Sequence, residues 1–285
     1  MVKKIFKRLF SIIAGVDFLY FLFNNSVGKT TNYIQELRKK QIQATDESNE
    51  TKIIQFAVSK IFPDLTVKNG PFKGLRYAEP KTIGSELFPK LLGSYEKELQ
   101  PLIKRICNTK YDQILNVGCA EGYYANGLAL KMPNSKIYAY DIDTEAVKLC
   151  RKMAKINHVE KQVTVRNKCT AKTLYSFLPL NKRTLILSDC EGYEEELFTA
   201  RVVSKLSKSD FLIEIHDFLN VEISTKIKKI FESTHNIQVI SSIDDIKKSQ
   251  TYNYKEIRNL DINVKKILLS EKRPSIMEWY FMTPL

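Results

Sequence analysis

The sequence predicts an α/β fold with a doubly wound, mostly parallel, seven-stranded sheet. From residue 114 onward, short apolar runs alternate with stretches of helical apolar spacing, a pattern typical of a parallel sheet with helices on both faces. Small residues follow the first apolar run, as they do where a strand turns sharply into a helix. A last β-rich run, MEWYFMT, follows a long polar stretch and fits a final strand inserted antiparallel.

The chain has 285 residues, enough for one large domain with an appendage. We place the boundary after residue 84, so that residues 1–84 form a helical and hairpin extension and residues 85–285 form the α/β domain. Within residues 1–28, basic side chains precede an apolar run with helical spacing. Two interpretations stay open: a helix lying on the inner surface of a membrane, or a helix packed on the domain or on a second subunit.

The elements follow in order from the same patterns. Ahead of the alternating region we expect helical structure over 30–62, a hairpin over 64–80 and an amphipathic helix beginning at Ser94. The alternating region predicts strands over 114–117, 136–140, 162–166, 184–188, 211–215 and 236–240, and helices over 122–132, 144–157, 171–178, 194–206 and 220–233. A polar loop is expected from there to about residue 274, before the last strand.

Composition limits the partners and the compartment. The formal net charge of +13 suits an anionic partner such as a membrane surface, nucleic acid or a phosphorylated glycan, or else simply a soluble lysine-rich surface. The five cysteines are scattered and include no C-x-x-C pair. This argues against a zinc site and a disulfide framework and fits a reducing, cytoplasmic compartment.

A nucleoside site is predicted where the first strand ends. Gly118, Ala120 and Gly122 follow that strand, and Asp141 lies about twenty residues further on, where an acid commonly accepts hydrogen bonds from ribose hydroxyls. The spacing is G-x-A-x-G, with Tyr123 at the third glycine position of a dinucleotide motif, and no G-K-[ST] follows. The pattern therefore disfavours a dinucleotide site and a P-loop, and we expect an ordinary backbone angle at Ala120.

Polar side chains also end the fourth and fifth predicted strands. Asp189, Glu191, Glu214, His216 and Asp217 should converge with the first cluster, because neighbouring strand ends share one crevice. In one interpretation His216 is a general base that takes a proton from a hydroxyl substrate. In another, Asp189 and Glu214, with His216 or Asp217, hold a divalent cation such as Mg²⁺. In the third, these groups only cap strand ends and helix starts.

The motifs together resemble a known family. GPFKGLRY, LGSYEKEL, NVGCAEGYYANGLA, YAYDID, SDCEGYEEELF, LIEIHD and EKRPSIMEWYFMTP occur in the order found in FkbM-like methyltransferases, over about residues 70–285. The glycine-rich segment is similar to motif I of class I S-adenosylmethionine (SAM) methyltransferases, with Asn116 replacing the usual acid and Ala120 the middle glycine. The resemblance implies SAM as the cofactor and methyl transfer to a hydroxyl of a sugar, a glycan or a related small molecule.

The same resemblance, joined to the strand-end clusters, assigns residues to the site. At the cofactor we expect Asn116, Gly118, Ala120, Glu121, Gly122, Tyr123, Asp141, Ile142 and Asp189. At the acceptor we expect Tyr95, Glu96, Tyr124, Glu191 and Arg273. His216, Asp189 and Glu214 are the expected catalytic residues, and Asp189, Glu214 and Asp217 the expected metal ligands. Two rival functions stay open: an RNA or protein methyltransferase that uses the basic surface, and a non-catalytic membrane-associated scaffold.

Overall fold

A computed structural model describes residues 40, 52–177 and 182–285, and contacts divide the chain into two compact units, residues 1–61 and 62–285. In the first unit, the described stretch 52–61 is helical and ends in the π-helical turn Ala57–Ile61. The helix predicted within residues 1–28 lies outside the described residues. The boundary predicted after residue 84 stays a prediction.

Seven strands form one sheet in the second unit, in the order β3-β2-β1-β4-β5-β7-β6. The strands are β1 (Gln113–Val117), β2 (Lys136–Tyr140), β3 (Val163–Arg166), β4 (Thr184–Ser188), β5 (Asp210–Ile215), β6 (His235–Ser241) and β7 (Glu278–Pro284). The first five are parallel neighbours, and β7 runs antiparallel between β5 and β6. The predicted doubly wound sheet with an inserted last strand is confirmed.

Short helices connect the strands of this unit. They are α1 (Leu87–Leu92), α2 (Gln100–Cys107), α3 (Tyr123–Lys131), α4 (Thr144–Ile156), α5 (Ala171–Phe177), α6 (Glu194–Leu197), α7 (Ala200–Lys205), α8 (Ile223–Phe231), α9 (Asp245–Thr251) and α10 (Ile262–Leu269). The segment before β7 was expected to be a loop, and this was wrong, because it contains α9 and α10. Asp244 and Asp261 cap those helices by accepting hydrogen bonds from the N–H groups of Lys247 and Asn263.

Two other helix boundaries differ from the prediction. The helix expected over 194–206 is divided in two, because the Thr199 side chain accepts a hydrogen bond from the Val202 N–H and begins α7 anew. The helix expected to begin at Ser94 is preceded by α1, which ends at Gly93 with φ of 79°. A 3₁₀ turn, Lys97–Leu99, then leads into α2.

The central strands are buried on both faces, as parallel strands between helices must be. Every residue of β1, β4 and β5 is buried, and side chains such as Ile186, Phe211 and Phe231 fill one layer of the core. The predicted hairpin over 64–80 forms a single antiparallel bridge between Thr66 and Arg76. In the described part of the chain, no helix combines the length and apolar character needed to cross a membrane. The carboxyl ends of the parallel strands therefore form one edge at which polar side chains meet.

Candidate active site

The end of β1 meets the end of β4 so closely that residue 118 has to be glycine. Gly118 has φ of 73°, and a Cβ there would lie 1.5 Å from the carbonyl oxygen of Asp189. The N–H groups of Gly118 and Cys119 donate to the carbonyl of Tyr140, each at 2.9 Å, and the Asp189 N–H donates to that of Val117 at 3.0 Å. The predicted tight turn is thus built by main-chain contacts among three strand ends.

Ala120 differs from its prediction, because its φ is 47°, in the left-handed region rather than an ordinary one. In this conformation its N–H donates to Asp141 Oδ2 at 2.8 Å, while the Asp143 N–H donates to Oδ1 at 2.9 Å. The hydrogen bond to the carboxylate requires the N–H to turn this way. Burial raises the pKa of Asp141, and the two hydrogen bonds partly offset that rise.

Glu121 and Gly122 were expected at the cofactor, but the structure gives them packing roles. The Glu121 side chain is buried and accepts hydrogen bonds from Lys90 Nζ at 2.6 Å, Tyr77 Oη at 3.1 Å and the Ile83 N–H at 3.2 Å. A Cβ at Gly122 would lie 2.3 Å from the Asn126 side chain. Glycine at this position, directly before α3, therefore leaves room for the side chain of Asn126 in the first turn of that helix. Neither residue lines the cavity described next.

A cavity of about 410 Å³ occupies this edge of the sheet. Its lining includes these predicted residues: Tyr95, Asn116, Gly118, Ala120, Tyr123, Tyr124, Asp141, Ile142, Asp189 and Glu191. Tyr95, Tyr123 and Tyr124 form an aromatic wall. The ring centroids of Tyr95 and Tyr123 are 5.5 Å apart, and those of Tyr123 and Tyr124 are 5.4 Å apart. Ile142 is 78% exposed, which leaves a large apolar side chain free to contact a flat ligand ring.

The cavity fits SAM on two observations. Asn116 is buried, and its Oδ1 has no hydrogen-bond partner among the described residues, so it can accept a bond from a ligand ammonium group. Asp141 holds a carboxylate at the end of β2, beside the exposed face of Ile142, which matches the positions of a ribose diol and an adenine ring. The residues present are therefore suited to hold the methionine and nucleoside ends of SAM.

A smaller pocket of about 90 Å³ adjoins the cavity. We call it the acceptor pocket, because three of the residues expected at the acceptor, Tyr95, Glu191 and Arg273, line it. Asp189, Glu191 and Tyr95 line both spaces. The acceptor pocket alone is lined by Glu214, His216, Phe218, Glu271, Lys272, Arg273, Pro274 and Met277. Because these residues line both spaces, a group placed there would lie beside a ligand in the larger cavity.

Arg273 connects three buried carboxylates, two of which line this pocket. Its guanidinium donates to Glu214, to Glu96 and, at 2.9 Å from Nε, to Glu271. Glu96 also accepts a hydrogen bond from the Tyr124 hydroxyl. Glu96 was expected to contact the acceptor, but it is buried and its carboxylate is bound by these protein donors. Burial raises the pKa of Glu96, although the charge of Arg273 opposes the rise.

His216 lies between carboxylates on both sides of its ring. Nδ1 is 2.8 Å from Glu194 Oε1, and Nε2 is 3.4 Å from Asp189 Oδ1 and 3.7 Å from Glu191 Oε2. Burial alone would lower the pKa of His216, but the carboxylates of Asp189 and Glu194 beside its two ring nitrogens raise it to about 10. The same contact lowers the pKa of Asp189 against its burial. At neutral pH the pair is an imidazolium beside an ionised carboxylate.

The expected metal ligands are only partly brought together. Asp189, Glu214 and His216 each offer a ligand atom within 4.8 Å of the others. Asp217 is not in this group, because its carboxylate accepts a hydrogen bond from the Ser224 N–H at 2.8 Å and caps the start of α8. The site does not fit Mg²⁺ well, since Mg²⁺ prefers oxygen ligands whereas here one donor is an imidazole and Arg273 already neutralises Glu214.

Sequence reasoning missed several side chains at this site. Lys168 and Cys169, which follow β3, line the cavity, and the strand-end argument applied to the other strands would have found them. Residues 83–85 and Lys90 also line it, but they come from a segment distant in sequence, for which no local signal exists. Glu194, which begins α6, is fully buried against His216, and its place in an acidic run at a helix start gives no sign of that contact.

The chain is similar in part to known proteins. A family model described as a methyltransferase domain matches residues 108–267. The O-methyltransferase TomG from Streptomyces achromogenes, solved in complex with SAM, is 9% identical over 82% of this chain and 88% of that chain, with a TM-score of 0.46. A precorrin-6y C5,15-methyltransferase from Geobacter metallireducens is 15% identical over 65% and 87%, with a TM-score of 0.45. A search of curated proteins found no match.

Proposed function

Because the chain belongs to the methyltransferase domain family and is a SAM-dependent methyltransferase, we propose that it methylates a hydroxyl group of a sugar or related small molecule. The observation that carries the proposal is the acceptor pocket, which opens beside the cofactor cavity and shares Asp189 with it. The motif order described above supports placement in the FkbM-like group. SAM, when bound, would supply an activated methyl group to the hydroxyl oxygen, and its sulfur would keep the electron pair of the broken carbon–sulfur bond and leave as S-adenosylhomocysteine.

The residues of the chain align the hydroxyl and take up its proton. Asp189 is ionised and lines both spaces, so its carboxylate accepts the hydrogen bond of the acceptor hydroxyl and orients its oxygen. Its lowered pKa makes it a weak base, so it takes up the proton only as the oxygen loses it on methylation. His216 takes a different role from the expected general base. With a pKa of about 10 it is already protonated at neutral pH, so it holds Asp189 in place and supports its negative charge.

The charge of the acceptor pocket supports a neutral acceptor over an anionic one. Four of the side chains that line it are carboxylates and three are cationic: Asp189, Glu191, Glu214 and Glu271 against His216, Lys272 and Arg273. Two further carboxylates, Glu96 and Glu194, lie directly behind these. The excess of carboxylates over cations therefore disfavours a phosphate or carboxylate next to the reacting hydroxyl, and the raised pKa of Glu214 and its pairing with Arg273 weaken that effect.

A second candidate, methylation of RNA or protein, is supported by the net charge of +13. It requires the anionic chain of an RNA to pass an acid-rich pocket, and it predicts affinity that falls steeply with added salt. The third candidate, a non-catalytic scaffold, predicts that SAM does not bind. The N-terminal basic segment as a membrane contact stays a separate proposal, which removal of residues 1–28 and vesicle sedimentation would test.

The test combines cofactor binding with product analysis. Calorimetry should show saturable SAM binding, and incubation with a panel of simple glycosides should yield S-adenosylhomocysteine and a product heavier by one methyl group. Asp189→Asn should retain SAM binding and lose turnover by about 100-fold or more, the usual effect of removing a proton acceptor. Glu195→Gln, on the exposed pair with Lys226, serves as the control that retains both. Methylation only of amines or nucleic acid would overturn the proposal.

A further inference from the structure

The loop between β5 and α8 exposes three large apolar side chains within the four residues 218–221. Phe218 is 43% exposed, Leu219 55% and Val221 79%. We call these three residues the apolar rim. Isolated exposed apolar side chains are common on proteins, but a contiguous group beside a binding pocket indicates a surface that another apolar group covers.

The apolar rim is continuous with the acceptor pocket. The ring of Phe218 lines the pocket and lies 5.9 Å, centroid to centroid, from the imidazole of His216. Leu219 follows in a turn closed by its N–H on the His216 carbonyl, at 2.9 Å. Leu219 Cδ1 lies close to Gly192, the residue after Glu191. A Cβ built on Gly192 would be 2.9 Å from that Cδ1. The rim therefore begins at the pocket with Phe218, and Leu219 lies against the loop that carries Glu191.

The acceptor pocket is too small to hold a whole acceptor molecule. At about 90 Å³ it holds only a few water-sized groups, so it accommodates the end of an acceptor that carries the hydroxyl and little more. The remainder of the acceptor has to lie outside the pocket. The acidic side chains of the pocket suit a polar end, while the rim suits an apolar one.

We propose that the acceptor is an amphiphile, in which an alkyl, isoprenoid or aromatic group is attached next to the hydroxyl-bearing end and lies on Phe218, Leu219 and Val221. This inference rests on the proposed function and narrows its substrate class. The hydroxyl end enters the acidic pocket toward Asp189, and the apolar group removes the three rim side chains from water. A bare hydrophilic sugar would leave the rim uncovered and would bind more weakly.

The test uses two glycosides that differ only in their aglycone, methyl β-glucoside and octyl β-glucoside, the latter below its micelle concentration. Each is titrated calorimetrically with and without S-adenosylhomocysteine. We expect the octyl compound to bind at least about tenfold more tightly, which corresponds to burial of about two methylene groups. Phe218→Ser combined with Val221→Ser should remove most of this difference. Leu285→Ser, which alters an equally exposed apolar residue at the opposite end of the sheet, should retain it.

Three outcomes would overturn the inference: equal affinity for the two glycosides, an octyl preference that survives in the rim double variant, or a rim variant that loses only sedimentation with phospholipid vesicles. The last result would assign the rim to a membrane surface. The titration without S-adenosylhomocysteine tests the rim even if the cofactor cavity proves inactive. Absence of SAM binding would reject the proposed function, whereas SAM binding without an aglycone effect would reject only the amphiphilic acceptor.

Discussion

Ala120 holds a backbone conformation that L-residues adopt only at a cost of about 1–2 kcal/mol, because the Cβ crowds the neighbouring carbonyl. Glycine lacks that clash, although it loses about 0.5–1 kcal/mol of backbone entropy on folding. Ala120→Gly should therefore raise the free energy of unfolding by up to about 1 kcal/mol and retain the hydrogen bond to Asp141. Urea denaturation of the two proteins measures the difference.

The matched control is Ala125→Gly, which makes the same chemical change in the buried interior of α3. Since a helical alanine has no strain to relieve, this variant should be destabilised by about 1 kcal/mol. The two substitutions should thus have opposite signs. A destabilised Ala120→Gly variant would show that the left-handed angle at Ala120 carries no strain.

The charge state of His216 is set by carboxylates on both ring nitrogens, and NMR titration can observe it directly. Of the three histidines in the chain, His216 should titrate at about 10, whereas burial lowers the pKa of His235 below its ordinary value. Glu194→Gln should lower the pKa of His216, because it removes the charge that faces Nδ1 at 2.8 Å. Glu196→Gln, two residues away and exposed, should leave it unchanged.

The same pKa predicts how stability depends on pH. A histidine whose pKa rises from about 6.5 in the unfolded chain to about 10 on folding stabilises the protein fully below pH 6.5. That contribution is lost as the pH rises from 6.5 through 10, because the folded protein binds the extra proton over this window. His216→Gln should make the free energy of unfolding less dependent on pH there. An unchanged slope would contradict the imidazolium assignment.

Sequence pattern could predict the residues whose roles are set by local backbone geometry. Gly118 and Asp141 follow from strand–turn–strand spacing, and both stand where that spacing places them. Glu121 and Glu96 could not be assigned, because their partners, Lys90 and Arg273, come from segments 31 and 177 residues away. A glutamate that is buried in an ion pair cannot be told in the sequence from a glutamate that lines a pocket. Only the fold determines which cation each one contacts.

At the scale of the element, the hydrophobic periodicity of the sequence predicted the bounds of the strands well and missed some of the short helices. Strand bounds agree within about two residues, because an apolar run between helices has to be a buried parallel strand. The helices α9 and α10 were missed, since each has fewer than nine residues and too few turns to show a period. Their aspartate caps were the available signal, and a cap without a clear apolar stripe is weak evidence alone.

Arg273 joins three elements through one guanidinium: the 3₁₀ turn after Glu96, strand β5 at Glu214, and the segment before β7 at Glu271. Arg273→Met should lower the free energy of unfolding at pH 7 by about 3–5 kcal/mol, because it leaves buried carboxylates without their cation. Burial raises the pKa of Glu214 and of Glu96 even with the arginine present. Urea denaturation at pH 7 and pH 5 measures the effect.

The deficit should shrink at the lower pH. Carboxyls whose pKa is raised by folding take up protons when the chain folds, so stability increases as the pH falls through that raised value. Arg183→Met is the control: this arginine is exposed, lies 4.0 Å from Asp210 and should cost at most about 1 kcal/mol at either pH. A pH-independent deficit in Arg273→Met would mean that lost packing, and not unpaired charge, is responsible.

For the whole molecule, charge is distributed unevenly between surface and site. The chain carries a net charge of +13, yet the acceptor pocket and the groups behind it contain more carboxylates than cations. A basic surface concentrates anions near the protein, whereas an acidic pocket excludes them from the reacting position. This separation suits a cationic cofactor and a neutral hydroxyl inside, with any anionic partner held outside the pocket.

SAM binding should stabilise the whole second unit, and Asp141 decides how strongly. At a SAM concentration 100 times Kd, binding adds about 2.7 kcal/mol to the free energy of unfolding, which raises Tm. Asp141→Asn should weaken SAM binding by about 10- to 100-fold, because a hydrogen bond to a charged acceptor is worth about 1.5–3 kcal/mol. It should also loosen the turn, since an amide has one oxygen for two N–H donors, those of Ala120 and Asp143.

The control for this experiment is Asp143→Asn, which removes the same charge two residues away. Asp143 caps α4 by accepting from the Glu145 N–H at 2.8 Å, and asparagine caps helices equally well. Its SAM-dependent rise in Tm should therefore equal that of the unmodified protein. That of Asp141→Asn should fall to about half or less at the same SAM concentration, because a 10- to 100-fold weaker Kd leaves about 0.4–1.4 kcal/mol of stabilisation. Equal rises in both variants would mean that SAM does not bind at the end of β2, and the cofactor site would have to be sought elsewhere along the sheet.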